Sequence, residues 1–259
     1  MNSTPKTTSL LVGGALLATA AAGAGAAYYI YKKRQQPVHY DPDSKPREWL
    51  LLEHVYKTAK LGDAQSVLDT IDQFAWGNKH FFMNIGDVKG KILDDALEEC
   101  KPKTVLELGA YCGYSAIRIG RAVQKWGGKV YSIELNPAFA AISRQMVEAA
   151  GLADTVTIIQ GILKIRVDML RERYGLQNFD LVFLDHWKEA YLSDAKLILE
   201  HKLLHDGSYM VADNVIYPGC PEYLKFIRAH PNFTSTLHES NLEYSDSVKD
   251  GVEVSIYHA

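Results

Sequence analysis

The run Val105-Leu106-Glu107-Leu108-Gly109-Ala110-Tyr111-Cys112-Gly113-Tyr114-Ser115 constrains the fold more than any other stretch of this chain: a β-forming segment leads into a glycine-rich turn and then into a helix. Such a unit opens an α/β sheet that binds its ligand at the carboxyl ends of the strands. The spacing is Gly-x-x-x-Gly after an acid, without the third glycine that packs around a dinucleotide pyrophosphate, so NAD fits poorly. Glu134 closes the next expected strand about 20 residues on, where these folds place a carboxylate for ribose hydroxyls. S-adenosylmethionine has a ribose and no phosphate. Glu107 could meet its ammonium, and Ser115 with the amides of the helix start could meet its carboxylate.

Periodicity supports the same architecture. Apolar residues at helical spacing predict helices over 48–60, 64–74 and 88–99. Strands are expected at 104–108, 129–133, 156–160, 181–184, 209–212, 234–239 and 252–257. Asn136-Pro137 reads as an N-cap followed by a first-turn proline, and Gly151 as the stop of that helix. The expectation is a Rossmann-like, doubly wound α/β fold with a mainly parallel seven-stranded sheet. It occupies residues 46–259 as one domain of roughly 215 residues.

Two polar patches follow expected strands, Asp185-His186-Trp187-Lys188 and Asp213-Asn214. In an open parallel sheet both would face the same crevice. Asp185, Asp213 and Asn214 offer three oxygens and no imidazole or thiolate, which suits a hard cation that keeps some water and favours Mg²⁺ over zinc or copper. Lys188 lies about one helical turn on, a pairing that suggests metal-assisted deprotonation of an oxygen nucleophile. Each of these residues alone is more often a cap or a solvated charge; their joint placement carries the reading. His201 and His205 have the spacing of a metal pair, but no Glu follows His201. Interaction with a helix C-terminus is the expected role of both, rather than zinc.

With these motifs in order, the chain from about residue 46 onward resembles the catechol O-methyltransferases. Phe82-Met83-Asn84-Ile85-Gly86-Asp87, the Leu106 to Ser115 turn, Phe183-Leu184-Asp185-His186-Trp187-Lys188, Ala212-Asp213-Asn214-Val215 and Leu242-Glu243-Tyr244 carry the likeness. The resemblance implies an S-adenosylmethionine-dependent methyltransferase acting on a small catechol, such as a catecholamine or catechol oestrogen. Asp185, Asp213 and Asn214 would bind Mg²⁺, and Lys188 would be the general base, with Glu243 as its catalytic companion. Phe81, Asp185, Lys188, Asn214, Pro218 and Glu243 would hold the substrate. Met83, Ile85, Glu107, Gly109, Tyr111, Tyr114, Ser115, Glu134, Leu135, Leu163, His186 and Trp187 would line the cofactor site. Two positions depart from the family pattern. Phe81 stands where the family usually has a Trp wall, and Leu163-Lys164 stands where it carries a Ser-Gln pair that touches adenine. Another vicinal diol or phenol, or a non-catalytic membrane-tethered paralogue, are the alternative readings; the second should first have erased the metal set and the base.

A formal charge of -3 and the lack of a basic run with interleaved aromatics in the soluble part argue against a nucleic-acid partner. Cys100, Cys112 and Cys220 are odd in number and far apart, which points to a reducing compartment. Residues 10–31 contain no charge and are followed by Lys32-Lys33-Arg34. Such a segment is long enough to span a bilayer, which needs roughly 20 apolar residues. A signal peptide is the rival, but the basic cluster is on the wrong side. We therefore expect an N-terminal transmembrane anchor over 1–35, a linker over 36–45 and a monomeric single-pass protein. Its catalytic domain would face the cytosol at the endoplasmic reticulum or plasma membrane, with a mitochondrial membrane as the alternative.

Overall fold

The central strands are apolar and buried almost end to end, as a parallel sheet covered on both faces requires. In a computed structural model that describes residues 45–77 and 82–259, β1 (Thr104–Leu108), β2 (Lys129–Glu134), β3 (Val156–Gln160), β4 (Phe179–Leu184) and β5 (Leu204–Ala212) pair in parallel. β6 (Phe233–Asn241) and β7 (Lys249–Tyr257) form an antiparallel hairpin, and β7 docks on β5. The order is β3-β2-β1-β4-β5-β7-β6, so the chain reverses its direction of travel between β1 and β4 and opens a crevice at their carboxyl ends. The doubly wound, mainly parallel seven-stranded sheet is the one the sequence led us to expect. The anchor segment 10–31, the basic cluster at 32–34, the linker before residue 45 and Phe81 lie outside the described residues. Among the described residues no helix is long and apolar enough to cross a membrane.

Helices cover both faces, as a parallel sheet requires. On one side are α1 (Arg47–Thr58), α2 (Ala64–Gly77), α3 (Gly86–Cys100), α4 (Tyr114–Gln124) and α5 (Pro137–Ala149), which bury Leu51, Leu68, Leu93, Ile117 and Met146 against Val105, Leu181 and Phe183. On the other are α6 (Leu163–Tyr174), α7 (Tyr191–Glu200) and α8 (Pro221–Ala229), which bury Val167, Ile198 and Tyr223 against Leu106, Val182 and Leu184. Each such side chain contributes about 1.5–3 kcal/mol by leaving water. α5 begins as expected: the Asn136 side chain accepts from the Ala138 and Phe139 amides at 2.9 and 3.4 Å, and Gly151 follows its end at φ 71°.

One expectation fails. β5 starts at Leu204, so His205 lies in a strand and away from any helix end. Gly207 at φ 83° lets the strand bulge through Asp206-Gly207 and resume its pairing. His205 Nε2 meets Asp180 Oδ1 at 2.9 Å instead. His201 does sit at the end of α7, as its C-cap.

Candidate active site

Three backbone bonds extend the sheet one residue past its strands and line up the crevice. The Gly109 amide donates to Ile133 at 2.9 Å, Asp185 to Leu108 at 2.9 Å and Asp213 to Leu184 at 3.0 Å. Gly109 is needed here. Its φ is 100°, and a Cβ would stand 2.3 Å from the Asp185 carbonyl oxygen, so the loops after β1 and β4 touch because Gly109 has no side chain.

On the β1 side, Glu107 is sealed within the sheet. The Ser132 hydroxyl donates to its Oε2, while Oε1 is buried without a hydrogen-bond partner among the described residues. Burial, against the pull of the Ser115 and Ser132 hydroxyls, raises its carboxyl to about 7. A buried acid with a vacant oxygen is costly unless a donor comes to it, which is what a ligand ammonium does. Glu134 accepts the Tyr111 amide at 2.9 Å and the Asn136 amide at 2.7 Å, and burial raises its carboxyl. Tyr111, at φ 47°, donates its hydroxyl to Glu48 at 2.7 Å. Ser115 and Tyr114 open α4. The Tyr114 hydroxyl is already committed to Asp72 and Arg118, which leaves its backbone for a ligand. Leu163 is turned into the core, and Ile85 is fully buried at the start of α3. Met83, Leu135 and Trp187 are exposed; Trp187, at 66%, is the most open of them. His186 stacks on Tyr191 and meets Asp194 through Nε2 at 2.8 Å; burial lowers its basicity and leaves Nδ1 unpartnered among the described residues.

On the β4–β5 side, Lys188 Nζ donates to Asp185 Oδ1 at 3.1 Å and to the Tyr191 hydroxyl at 2.6 Å. Tyr191, fully buried, donates in turn toward the Leu184 and Asp213 carbonyls at 2.7 and 3.0 Å. Asp213 gives Oδ2 to Lys89 at 2.9 Å, and its Oδ1 is buried without a partner among the described residues. Asn214, at φ 54°, donates its Nδ2 to Asp250 at 2.8 Å and to Glu243 at 3.3 Å, which leaves its carbonyl oxygen for another group. Pro218 lies in the short turn after Asn214, Val215–Gly219. Burial raises Asp213 to about 6 and Asp185 well above the ordinary carboxyl range, with repulsion among the neighbouring acids adding to both.

The donors fit a hard divalent cation. Carboxyls of Asp185, Asp213, Glu243 and Asp250 face the ammoniums of Lys89 and Lys188, a shortage of positive charge, and the free oxygens belong to two carboxylates and one carboxamide. Among the described residues no three His, Cys, Asp or Glu side chains form a metal-holding group.

Sequence reasoning missed Lys89, Asp250 and Tyr191. Lys89 Nζ is completely buried and bonds Asp213, Glu243 and Asp250 at 2.9, 3.0 and 2.7 Å. A signal for it existed: Ile85, Lys89, Leu93 and Leu97 recur every four residues, which places a lysine on the apolar stripe of α3.

A fold and crevice of this kind define a methyltransferase-like α/β protein, and the comparisons make the assignment narrower. A family model described as O-methyltransferase matches residues 58–225, and the chain belongs to that family. It is 44% identical to the catechol O-methyltransferase of Mus musculus over 223 residues, 86% of this chain and 83% of that protein. It is 35% identical to the transmembrane O-methyltransferase of Homo sapiens, across 79% of this chain and 70% of the relative. The solved O-methyltransferase from Bacillus cereus, in complex with SAH, superposes with a TM-score of 0.64 at 23% identity, across 74% of this chain and 90% of that one.

Proposed function

We propose that this protein transfers a methyl group from S-adenosylmethionine to one hydroxyl of a catechol, in a reaction that requires Mg²⁺. The observation that carries the reading is a pair of buried carboxyl oxygens without a partner among the described residues, Glu107 Oε1 and Asp213 Oδ1, on the two sides of the crevice. One suits an ammonium and the other a cation. The relatives named catechol O-methyltransferase support the substrate class.

The sulfonium of S-adenosylmethionine supplies the methyl group, and Mg²⁺ held by Asp185, Asp213 and Asn214 supplies positive charge that favours loss of a hydroxyl proton. As the free amine, the form that a cation bound beside it would favour, Lys188 takes that proton at Nζ, with Tyr191 and Asp185 fixing where the nitrogen points. Glu243 lends its Lys89-bound carboxylate to the second hydroxyl, and Asn214 stands beside it. Glu107, the α4 amides and Glu134 orient the cofactor through its ammonium, carboxylate and ribose. Holding both reactants in line makes the step effectively unimolecular, which supplies much of the acceleration.

The test is methyl transfer from labelled S-adenosylmethionine by the purified full chain, using a panel of catechols and monophenols with and without EDTA. Catechol-selective, EDTA-sensitive transfer is expected. Transfer that ignores EDTA, or the absence of any catechol product, overturns the proposal.

We also assign residues 10–31 to a membrane, with the catalytic domain held on the cytosolic side by Lys32-Lys33-Arg34. Asn232-Phe233-Thr234 is a glycosylation acceptor pattern, so sugar on Asn232 in expressing cells would place the domain in the lumen and reverse this topology.

A further inference from the structure

The Asp72 carboxylate, on α2, touches both halves of the site. Its Oδ1 accepts from the Tyr244 hydroxyl at 2.9 Å, and its Oδ2 accepts from the Tyr114 hydroxyl at 2.9 Å. Tyr244 directly follows Glu243 in the loop between β6 and β7 and is held at φ 52°, a backbone conformation that needs support in a residue with a side chain. One turn along α2 from Asp72, Trp76 packs edge-on against the Tyr244 ring, with centroids 5.6 Å apart. Asn84 adds a long bond to the Tyr244 hydroxyl at 3.3 Å. Tyr114 is the first residue of α4, directly after the glycine-rich turn.

The two tyrosines depend on Asp72 to different degrees. Tyr114 also receives Arg118 Nη1 at 3.1 Å, and Arg118 is clamped to Asp94 of α3 at 2.9 and 2.8 Å, so the start of α4 has a second charged tether. Tyr244 has none. A cavity of about 30 Å³ lies beside it, lined by Trp76, Val88, Glu243 and Tyr244, so the ring is not packed on every side.

We propose that Asp72 is a positioning residue that fixes Glu243 for the catechol by holding the Tyr244 hydroxyl, while its bond to Tyr114 keeps that loop in register with the cofactor turn. The proposal rests on the assignment of Glu243 to the catechol. Asp72 is a positioning residue because it touches neither reactant. Its carboxyl, raised to about 6 chiefly by burial, remains mostly ionised at neutral pH and so can accept from both hydroxyls.

The experiment compares full-length wild type, Asp72→Ala, Asp72→Asn, Tyr244→Phe and the Asp72→Ala/Tyr244→Phe double variant. Asp72→Ala should raise the KM for pyrocatechol about tenfold, the weight of one hydrogen bond to a charged acceptor. S-adenosylhomocysteine affinity by calorimetry should stay within about twofold, because Arg118 still holds Tyr114. Tyr244→Phe should reproduce the KM rise, the double variant should be no worse than either single one, and Asp72→Asn should recover part of the loss. Equal losses for both ligands, multiplicative effects in the double variant, or an unchanged KM in Tyr244→Phe would overturn the proposal. If wild type methylates no catechol, the functional assignment fails, and amide exchange then decides this one. Faster exchange confined to residues 241–248 in Tyr244→Phe supports the tether, and unaltered exchange there refutes it.

Discussion

Lys89 reaches Asp250 at 2.7 Å across 161 residues of sequence, and neither side chain has any contact with solvent. The same ammonium serves Asp213 and Glu243, so it is the charge that lets acids sit beneath the crevice. Lys89→Met keeps much of the volume and leaves buried carboxylates uncompensated. It should lower the free energy of unfolding by about 3–5 kcal/mol, read from urea midpoints at unchanged slope. A loss under about 1 kcal/mol would mean that water or protonation replaces the lysine easily.

In the proposed reaction Lys188 acts on the acceptor rather than on the methyl donor. Lys188→Ala should reduce kcat about 100-fold or more while calorimetric affinity for S-adenosylhomocysteine is unchanged. Tyr191→Phe should reduce kcat less, since the Lys188 nitrogen keeps its bond to Asp185 at 3.1 Å. A large loss of S-adenosylhomocysteine affinity in Lys188→Ala would recast that residue as structural.

Gly109 and Gly127 form a controlled pair. Both have positive φ, 100° and 72°, but a Cβ at Gly127 meets nothing within 4 Å. Alanine at Gly127 should cost about 1–2 kcal/mol for the left-handed backbone alone. Alanine at Gly109 adds a collision with the Asp185 carbonyl, and should lower Tm well beyond Gly127→Ala and abolish S-adenosylhomocysteine binding. Similar Tm values for the two variants would refute the close-approach argument.

The His205–Asp180 pair gives a pH signature far from the crevice. Burial opposes the charged imidazole, but the Asp206 carbonyl and Asp180 outweigh it and raise His205 above its ordinary value. Asp180 is lowered: burial opposes the shift, while His205 and the amide and hydroxyl of Thr104 outweigh it. A raised histidine stabilises fully below its unfolded value of about 6.5, and this is lost as pH rises through the folded value. A lowered aspartate stabilises above its unfolded value of about 3.9, and this is lost as pH falls through the folded one. The stability gap between wild type and His205→Asn should therefore be widest in the mildly acidic range and shrink toward alkaline pH. A gap that widens with pH contradicts the assigned direction.

Strand ends and cofactor turn were legible because their signals are local. The apolar runs before Asp185 and Asp213, the glycines at 109 and 113, and Asn136-Pro137 each reflect a backbone need met within a few residues. The early start of β5 was not, because Asp206-Gly207 looks like a break and Gly207 turns it into a bulge. Lys89 left a local trace on its helix stripe, whereas its partner Asp250 left none. The Tyr244–Asp72 bond spans 172 residues and likewise has no periodic imprint.

The pairings of Lys89, at separations of 124, 154 and 161 residues, also bear on the order of folding events. Strands β1 to β5 can associate through their own crossovers, whereas the charge well beneath the crevice closes only when the β6–β7 hairpin delivers Glu243 and Asp250. Loop closure over such distances is slow. A refolding chain should therefore recover its far-UV helical signal before it recovers methyl transfer, with hairpin docking as the step that turns a folded sheet into an enzyme; simultaneous recovery in stopped-flow and quench assays would place that docking earlier.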